Sequence, residues 1–228
     1  MDSFLAYLSD NQDELVFYAR SHFLLVLYSV GIATVVSVAL ALVLHTNRLT
    51  PPSWSRSLRS SGQEGLLLAF SAALTVPSLA LFGLLQPILG LGTQTAVVGL
   101  AIYGLYPVLR NTVAGLSSVD PAVLEAAKGV GMGPTRRMVR IQLPLAAPVI
   151  ISGIRVAVLI MIGIAVVAAI ISDVGFGELV DDGLKGLGTE GAFTDVMVGT
   201  FACLLVAAVF EIIFGIIQRF VTPRGIRV

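Results

Sequence analysis

Two charges stand alone in long uncharged stretches of this chain. Arg155 interrupts the run from about Ala147 to Ile171, and Glu211 the run from about Val196 to Gln218. Opposite charges in apolar surroundings do one kind of chemistry well, which is to neutralise each other. Arg155 lies eleven residues after Pro144, and Glu211 eight residues before Arg219. At about 1.5 Å of helix rise per residue these offsets come to roughly 16 and 12 Å. Antiparallel neighbouring helices then place the two side chains at similar depth, and the expectation is an ion pair that braces them. The competing reading has Arg155 reaching out to the inner headgroups and Glu211 facing a wet cavity.

The other reactive residue types form no site. His22 and His45 flank the first apolar run with no Cys, Asp or Glu at ligand spacing, so no metal is expected. Cys203, the single cysteine, sits in an apolar run and excludes an intrachain disulfide. No nucleophile stands near a base. No glycine-rich stretch ends in Gly-Lys-Ser/Thr, so the chain carries no phosphate-binding loop.

One polar stretch has an organisation of its own. Asp120-Pro121 is a helix start, with Asp as N-cap and Pro at the first helical position. The helix reads Ala122 to Lys128, and Gly129, Gly131 and Gly133 stop it. Pro134 opens a second short helix, expected to end before Pro144. Ala126 and Ala127 leave one face flat enough to enter a groove, Glu125 offers a carboxylate for charge-assisted hydrogen bonds, and the glycines allow a sharp return.

The elements that position these residues are membrane spans. Hydrophobic residues make up 56% of the chain and charged ones 12%. Soluble domains carry about twice that charged share, so the chain lacks the polar surface to stay in water. A bilayer core takes about 20 helical residues to cross. Phe23 to Leu44 suffices for one span. The uncharged run from Gly65 to Leu109 is too long for one and folds back at Gln86-Pro87 through Gly90-Leu91-Gly92. That gives spans near 65–85 and 90–109, followed by 147–171 and 196–218, five in all. Pro77 is expected to kink the second span or free a backbone carbonyl there. Ala33, Ser37 and Ala41, like Ala165 and Ala169, repeat at the spacing of a close helix contact.

Eleven of the fourteen Lys and Arg residues fall on one side of these spans, in the loops holding Arg48, Arg56, Arg59, Arg110, Lys128, Arg136, Arg137 and Arg140 and in the tail with Arg219, Arg224 and Arg227. The positive-inside bias makes that side cytoplasmic and the N-terminus external. The opposite side holds Arg20 and Lys185 with the acidic run Asp173, Glu178, Asp181, Asp182, Glu190 and Asp195. Residues 1–22, with Asp2, Asp10, Asp13 and Glu14, do not read as a secretory signal. They read as an external interfacial segment, its helix capped by Ser9 with Gln12 three residues on. Residues 23–218 form the membrane domain, with a long cytoplasmic loop at 110–144, and 219–228 a cytoplasmic tail.

Glu125-Ala126-Ala127, three residues, Gly131, nine residues, then Ile141-Gln142-Leu143-Pro144 resembles the EAA signature of binding-protein-dependent ABC importer permeases, complete at every signature position. Beyond it, Thr75 to Leu81, Pro87 to Gly92 and Tyr106-Pro107-Val108-Leu109-Arg110-Asn111-Thr112 resemble the osmoprotectant branch, the permeases for glycine betaine, choline, carnitine and related solutes. Methionine-type importers share the five-span plan but are less similar around Arg110-Asn111-Thr112. The acidic stretch from Asp173 to Asp195 departs from the glycine-rich, weakly charged segment often found there.

The resemblance implies an all-α, type I, MetI-like permease whose loop docks in a groove of an ATPase through Glu125, Ala126, Ala127, Gly131, Leu143 and Pro144. It implies a second permease, identical or paralogous, two ATPase subunits that bind all the ATP, and an extracytoplasmic solute-binding protein. The setting is the plasma membrane of a bacterium or archaeon, with lipid around the spans, no nucleic acid and no cofactor of its own. Pro77, Phe82, Tyr103 and Tyr106 are the pathway candidates, the aromatics as cation–π faces, with bundle packing as the alternative for each. A methionine importer permease and a secondary transporter are the other functions weighed. The latter usually shows internal repeats and more midplane charges.

Overall fold

The computed structural model describes residues 7–46, 55–189 and 191–221, all helix and turn. Helix α1 spans Gln12–Thr46, α2 Ser55–Ala73, α3 Ser78–Leu89, α4 Thr93–Ser117, α5 Pro121–Gly129 and α6 Pro134–Arg137. Helix α7 spans Leu143–Ser172, α8 Gly177–Lys185 and α9 Ala192–Val221. Among the described residues, four helical stretches are long and apolar enough to cross a bilayer: Gln12–His45, Thr93–Ser117, Pro134–Ser172 and Ala192–Val221. Glu64–Ala73 and Ser78–Leu89 pass the same test only together and meet at 97°.

The centre is an antiparallel seam of α4 and α7. Its register is legible in close approaches: the Gly92 amide donates to the Ile171 carbonyl at 2.9 Å, Gly104 lies under Met161, Gly153 under Asn111, and Gly115 against Ala146. A Cβ on Gly153 would come within 2.4 Å of Asn111 Cβ and 2.9 Å of the Pro107 oxygen. In lipid, helices associate through such close packing because lipid tails offer apolar surface as good as leucine's. The small residues of α1 serve the same end. Ala33, Ser37 and Ala41 are fully buried, and the Ser37 hydroxyl donates to the Leu105 carbonyl at 3.0 Å. Ala165 and Ala169 are buried as well.

Helix α9 packs on α7 and α8 and touches α1, where the Phe23 and Phe210 rings stack at 4.7 Å. Helix α8 lies across the ends of α7 and α9 on glycines. A Cβ on Gly177 would strike the Val166 oxygen at 2.4 Å, and one on Gly183 the Ala192 oxygen at 2.6 Å.

Five features differ from the sequence expectation. Helix α1 runs without a break through residue 22, so the interfacial segment and the first span are one helix of 35 residues. No glycine or proline interrupts Gln12–Val30, and the Tyr18 hydroxyl bonds Glu14 one turn back at 2.9 Å. Ser9 lies inside a helical turn preceding α1 rather than at a cap. The second span is two half-helices. The fold-back is confined to Gly90 and Gly92, at φ +80° and +115°, while Gln86 and Pro87 stay helical in α3. Helix α4 continues to Ser117, eight residues past Leu109, so the loop expected to begin at residue 110 begins after it. Arg48, Arg224, Arg227 and Glu190 lie outside the described residues.

Candidate functional site

Asp120 caps α5 as its sequence requires, with Oδ1 accepting from the Ala122 amide at 2.8 Å and Pro121 in the first turn. The other end closes on Gly131 at φ +79°. The Gly131 amide donates to the Lys128 carbonyl at 2.9 Å and the Met132 amide to the Ala127 carbonyl at 3.0 Å. This pair of bonds is the Schellman closure, which needs a left-handed residue where Gly131 stands. A Cβ there would meet nothing within 4 Å, so backbone conformation alone selects glycine.

The helix so framed shows Val123, Glu125, Ala126, Lys128, Gly129 and Val130 to its surroundings, with Val130 78% exposed. Ala127 does not join them. It is buried at 5% exposure against its own chain, so the flat face expected from two alanines is made by Ala126 with Gly129. Every fourth residue of an α-helix returns to nearly the same face, and Glu125 and Gly129 share one.

The second half of the signature holds the largest departure from expectation. No break separates the helix begun at Pro134 from the span. Met138–Gln142 form a wide π-type turn, and the Leu143 amide reaches back five residues to the Met138 carbonyl. Pro144 then falls in the first turn of α7, where its missing N–H costs one bond and no strain beyond the widened turn. Leu143 is half-buried and Pro144 exposed. Gln142, 1% exposed, keeps Oε1 without a hydrogen-bond partner in the protein, and so does the Arg137 Nε. The stretch from Asp120 to Gln142 thus forms an elbow that runs into α7 without a break, through one widened turn.

The pathway candidates separate into two groups. Phe82 is fully buried and lies over Gly99, where a Cβ would meet its ring at 2.5 Å. Tyr103 is 2% exposed and donates its hydroxyl to the Val76 carbonyl at 2.6 Å. Both sit in this chain as packing groups, the alternative weighed for each, and not as exposed pathway faces. Tyr103 has a specific task, since Val76 is at the 97° bend and its carbonyl would otherwise lose a partner. Pro77 is exposed at that bend as the N-cap of α3. Tyr106 is half-buried beside a shallow cleft with Glu64, Leu67, Leu68 and Ser71. The Arg110 guanidinium stands 5.9 Å over its ring and bonds its hydroxyl at 3.3 Å.

Arg155 and Glu211 meet. Arg155 Nε donates to Glu211 Oε1 at 2.7 Å and Nη2 to Oε2, the bidentate arrangement that guanidinium and carboxylate favour. Their side chains remain 40% and 30% exposed.

On the opposite side of the molecule, Glu178 of α8 has Oε2 buried without a partner in the protein. Burial raises its pKa above the ordinary value, and the neighbouring Asp182, Asp173 and Asp181 raise it further. Asp181 bonds Lys185 instead, one turn on. Sequence reasoning gave Glu178, the Tyr103 staple and the glycine footing of α8 no role. The spacing Gly175, Gly177, Gly183 was the one available signal for the last.

The family described as binding-protein-dependent transport system inner membrane component matches residues 53–227. The chain is 33% identical over 97% of its length to the osmoprotectant import permease protein OsmW of Salmonella typhimurium, covering 98% of that protein. It is 31% identical over its full length to the choline transport system permease protein OpuBB of Bacillus subtilis, and 29% to the glycine betaine/carnitine/choline permease protein OpuCB of the same organism, covering 97% of each. In fold it resembles an inward-facing structure of the MetNI methionine ABC transporter, with a TM-score of 0.76 at 17% identity over 92% of this chain and 96% of that one.

Proposed function

This chain belongs to the binding-protein-dependent transport system inner membrane components, permease subunits of ABC importers, and we propose on that premise that it passes a quaternary ammonium compatible solute such as glycine betaine, choline or carnitine. The observation that carries the transport role is the elbow from Asp120 to Gln142: the first half of the signature folded into a largely exposed helix with a fixed entry at Asp120 and a fixed exit at Gly131, and the second half continuous with α7. The solute class rests on relatives named for osmoprotectants, choline and carnitine along the whole chain. The likeness to a methionine importer at 17% identity concerns the fold.

In this reading α5 docks in a groove of an ATPase, with Glu125 and Ala126 on the contacting face, and Leu143 and Pro144 carry its movement into α7. Two such permeases face each other, two ATPases bind and hydrolyse all the ATP, and a solute-binding protein delivers cargo outside. The chain itself is no enzyme and needs no cofactor. The half-helices α2 and α3 make a broken fifth crossing of the plasma membrane. The N-terminus is then external and the C-terminus cytoplasmic, which keeps the basic elbow inside. In a Cys203-free background, Asp182→Cys reacts with an impermeant thiol reagent in intact cells, and Arg136→Cys reacts only after permeabilisation. The reverse pattern removes the coupling assignment.

The decisive measurement is uptake by the intact importer. Osmotically stimulated accumulation of labelled glycine betaine or choline is expected. Uptake of methionine with betaines ignored would leave a permease with the wrong solute.

A further inference from the structure

The Arg155–Glu211 pair sits deep in the membrane and is not closed off. Arg155 is twelve residues into α7 and Glu211 ten before the end of α9, roughly 18 and 15 Å along each helix. With 40% and 30% of their side chains exposed, the two charges have an open edge at that depth. Charges in membrane helices are rare against lipid and face protein or water-filled cavities.

The surface of α9 says which medium that edge meets. One stripe reads Phe201, Leu205, Val209, Ile212 and Ile216, all large, apolar and between 47% and 68% exposed, which suits lipid tails. The stripe that carries the charge reads Leu204, Ala208, Glu211, Gly215 and Gln218, spaced three or four apart. Ala208 and Gly215 are exposed yet add almost no apolar bulk beside the carboxylate. On α7, Pro148, Ser152, Arg155 and Leu159 follow the same spacing, and the Ser152 hydroxyl bonds the Pro148 carbonyl at 3.1 Å. Helix α7 is also a helix on which the half-helix α3 rests, and broken helices line solute sites in transporters. Two adjacent ridges thus carry one positive and one negative group at a narrow waist of small residues, with Leu204 and Leu159, 59% and 44% exposed, closing the strip above them.

We propose that this strip is part of the solute pathway wall and that the Arg155–Glu211 pair reads zwitterions. The proposal rests on the importer reading above and specifies its solute. A zwitterionic quaternary ammonium carries a carboxylate and a cation a few bonds apart. The carboxylate meets the guanidinium edge of Arg155, where donors remain beyond those used by Glu211. The ammonium, which has no hydrogen to donate, takes the field of the Glu211 carboxylate. Choline has only the second of these partners. The pair therefore favours glycine betaine and carnitine over choline at the wall, and its mutual bond keeps both charges neutralised when no solute is present.

The test is competitive uptake of glycine betaine and choline by the complete importer with Arg155→Gln, Glu211→Gln and the exchanged Arg155→Glu/Glu211→Arg. The expected result is a roughly tenfold shift of the ratio toward choline in Arg155→Gln, with partial return of the wild-type ratio in the exchange. A ratio unchanged within twofold in variants that reach the membrane and bind the ATPase would make the pair a brace and overturn the proposal. If wild type takes up neither solute, the importer reading fails on its own, before any variant is compared. Variants that fail to assemble are replaced by cysteine accessibility in a Cys203-free chain with Arg155 and Glu211 intact. Ala208→Cys and Gly215→Cys react with a small cationic thiol reagent and are protected by glycine betaine, whereas Leu205→Cys and Ile212→Cys stay inert. Equal reactivity of the two stripes sinks the assignment.

Discussion

Glycines gather in two regions of this molecule for opposite reasons. In the α4–α7 seam, a Cβ would collide with a neighbouring helix at Gly104 and Gly153 and crowd it at Gly115, and their backbone is ordinary helix. In the elbow, Gly129, Gly131 and Gly133 have open space around every hypothetical Cβ, and Gly131 is held by its dihedral angle. The first region spends its glycines on contact, and the second spends Gly131 on direction. A seam built on contact is rigid and internal, whereas an elbow built on direction leaves its surface free for a partner.

The largest test of this contrast is Gly153→Leu. It drives a side chain into Asn111 and the Pro107 carbonyl, and overpacking of that kind costs about 3 kcal/mol. Loss of the protein from the membrane, or a collapsed thermal transition in detergent, is expected; normal accumulation would show that the seam yields. Gly131→Val comes next. It places a branched residue in the left-handed region at about 1–2 kcal/mol, paid locally at the end of α5. The chain should still insert, but recover about tenfold less ATPase on co-purification, and Glu125→Lys should weaken recovery by a smaller factor. Full ATPase recovery and uptake in both would mean that direction at the elbow is irrelevant.

Two finer measurements concern single polar groups. Tyr103→Phe removes the hydroxyl that holds the Val76 carbonyl at the bend and should lower stability by about 1 kcal/mol, read by denaturation in detergent. The smallest effect is expected at Glu178. Its pKa is raised by burial and by neighbouring carboxylates, so the folded chain holds the proton more tightly than the unfolded one. Stability from this group is fully present below its ordinary value of 4.5 and is lost as pH rises through the higher folded value. Glu178→Gln should therefore raise the melting temperature slightly at neutral pH and flatten its acid dependence. A lower melting temperature would imply that the charge is used.

The sequence revealed what periodicity and depth determine. Apolar run lengths gave the spans, Asp120-Pro121 and Gly131 gave the ends of α5, and offset arithmetic brought Arg155 opposite Glu211. What stayed hidden depends on backbone geometry between elements. Nothing local distinguishes a kink at Pro77 from a 97° break, because contacts at the bend come from far along the chain, such as the Tyr103 hydroxyl bond to Val76, 27 positions away. Pro144 looked like a helix stop because its missing donor forbids an ordinary turn. The five-residue reach from Leu143 to Met138 supplies a different one. Phe82 and Tyr103 looked available because an aromatic residue in a span has the same sequence signature whether it lines a cavity or fills a core.

The antiparallel register of the seam also bears on how the protein is made. Gly92 is joined to Ile171 and Gly104 lies under Met161, so the helix that needs a close neighbour is synthesised well before the neighbour exists. At about 5–20 residues per second, α4 waits several seconds in or beside the insertion machinery with its notched face against lipid or a chaperone. The elbow, emerging in between, is the tether that keeps the two halves within reach. Its length thus sets an effective concentration for assembly.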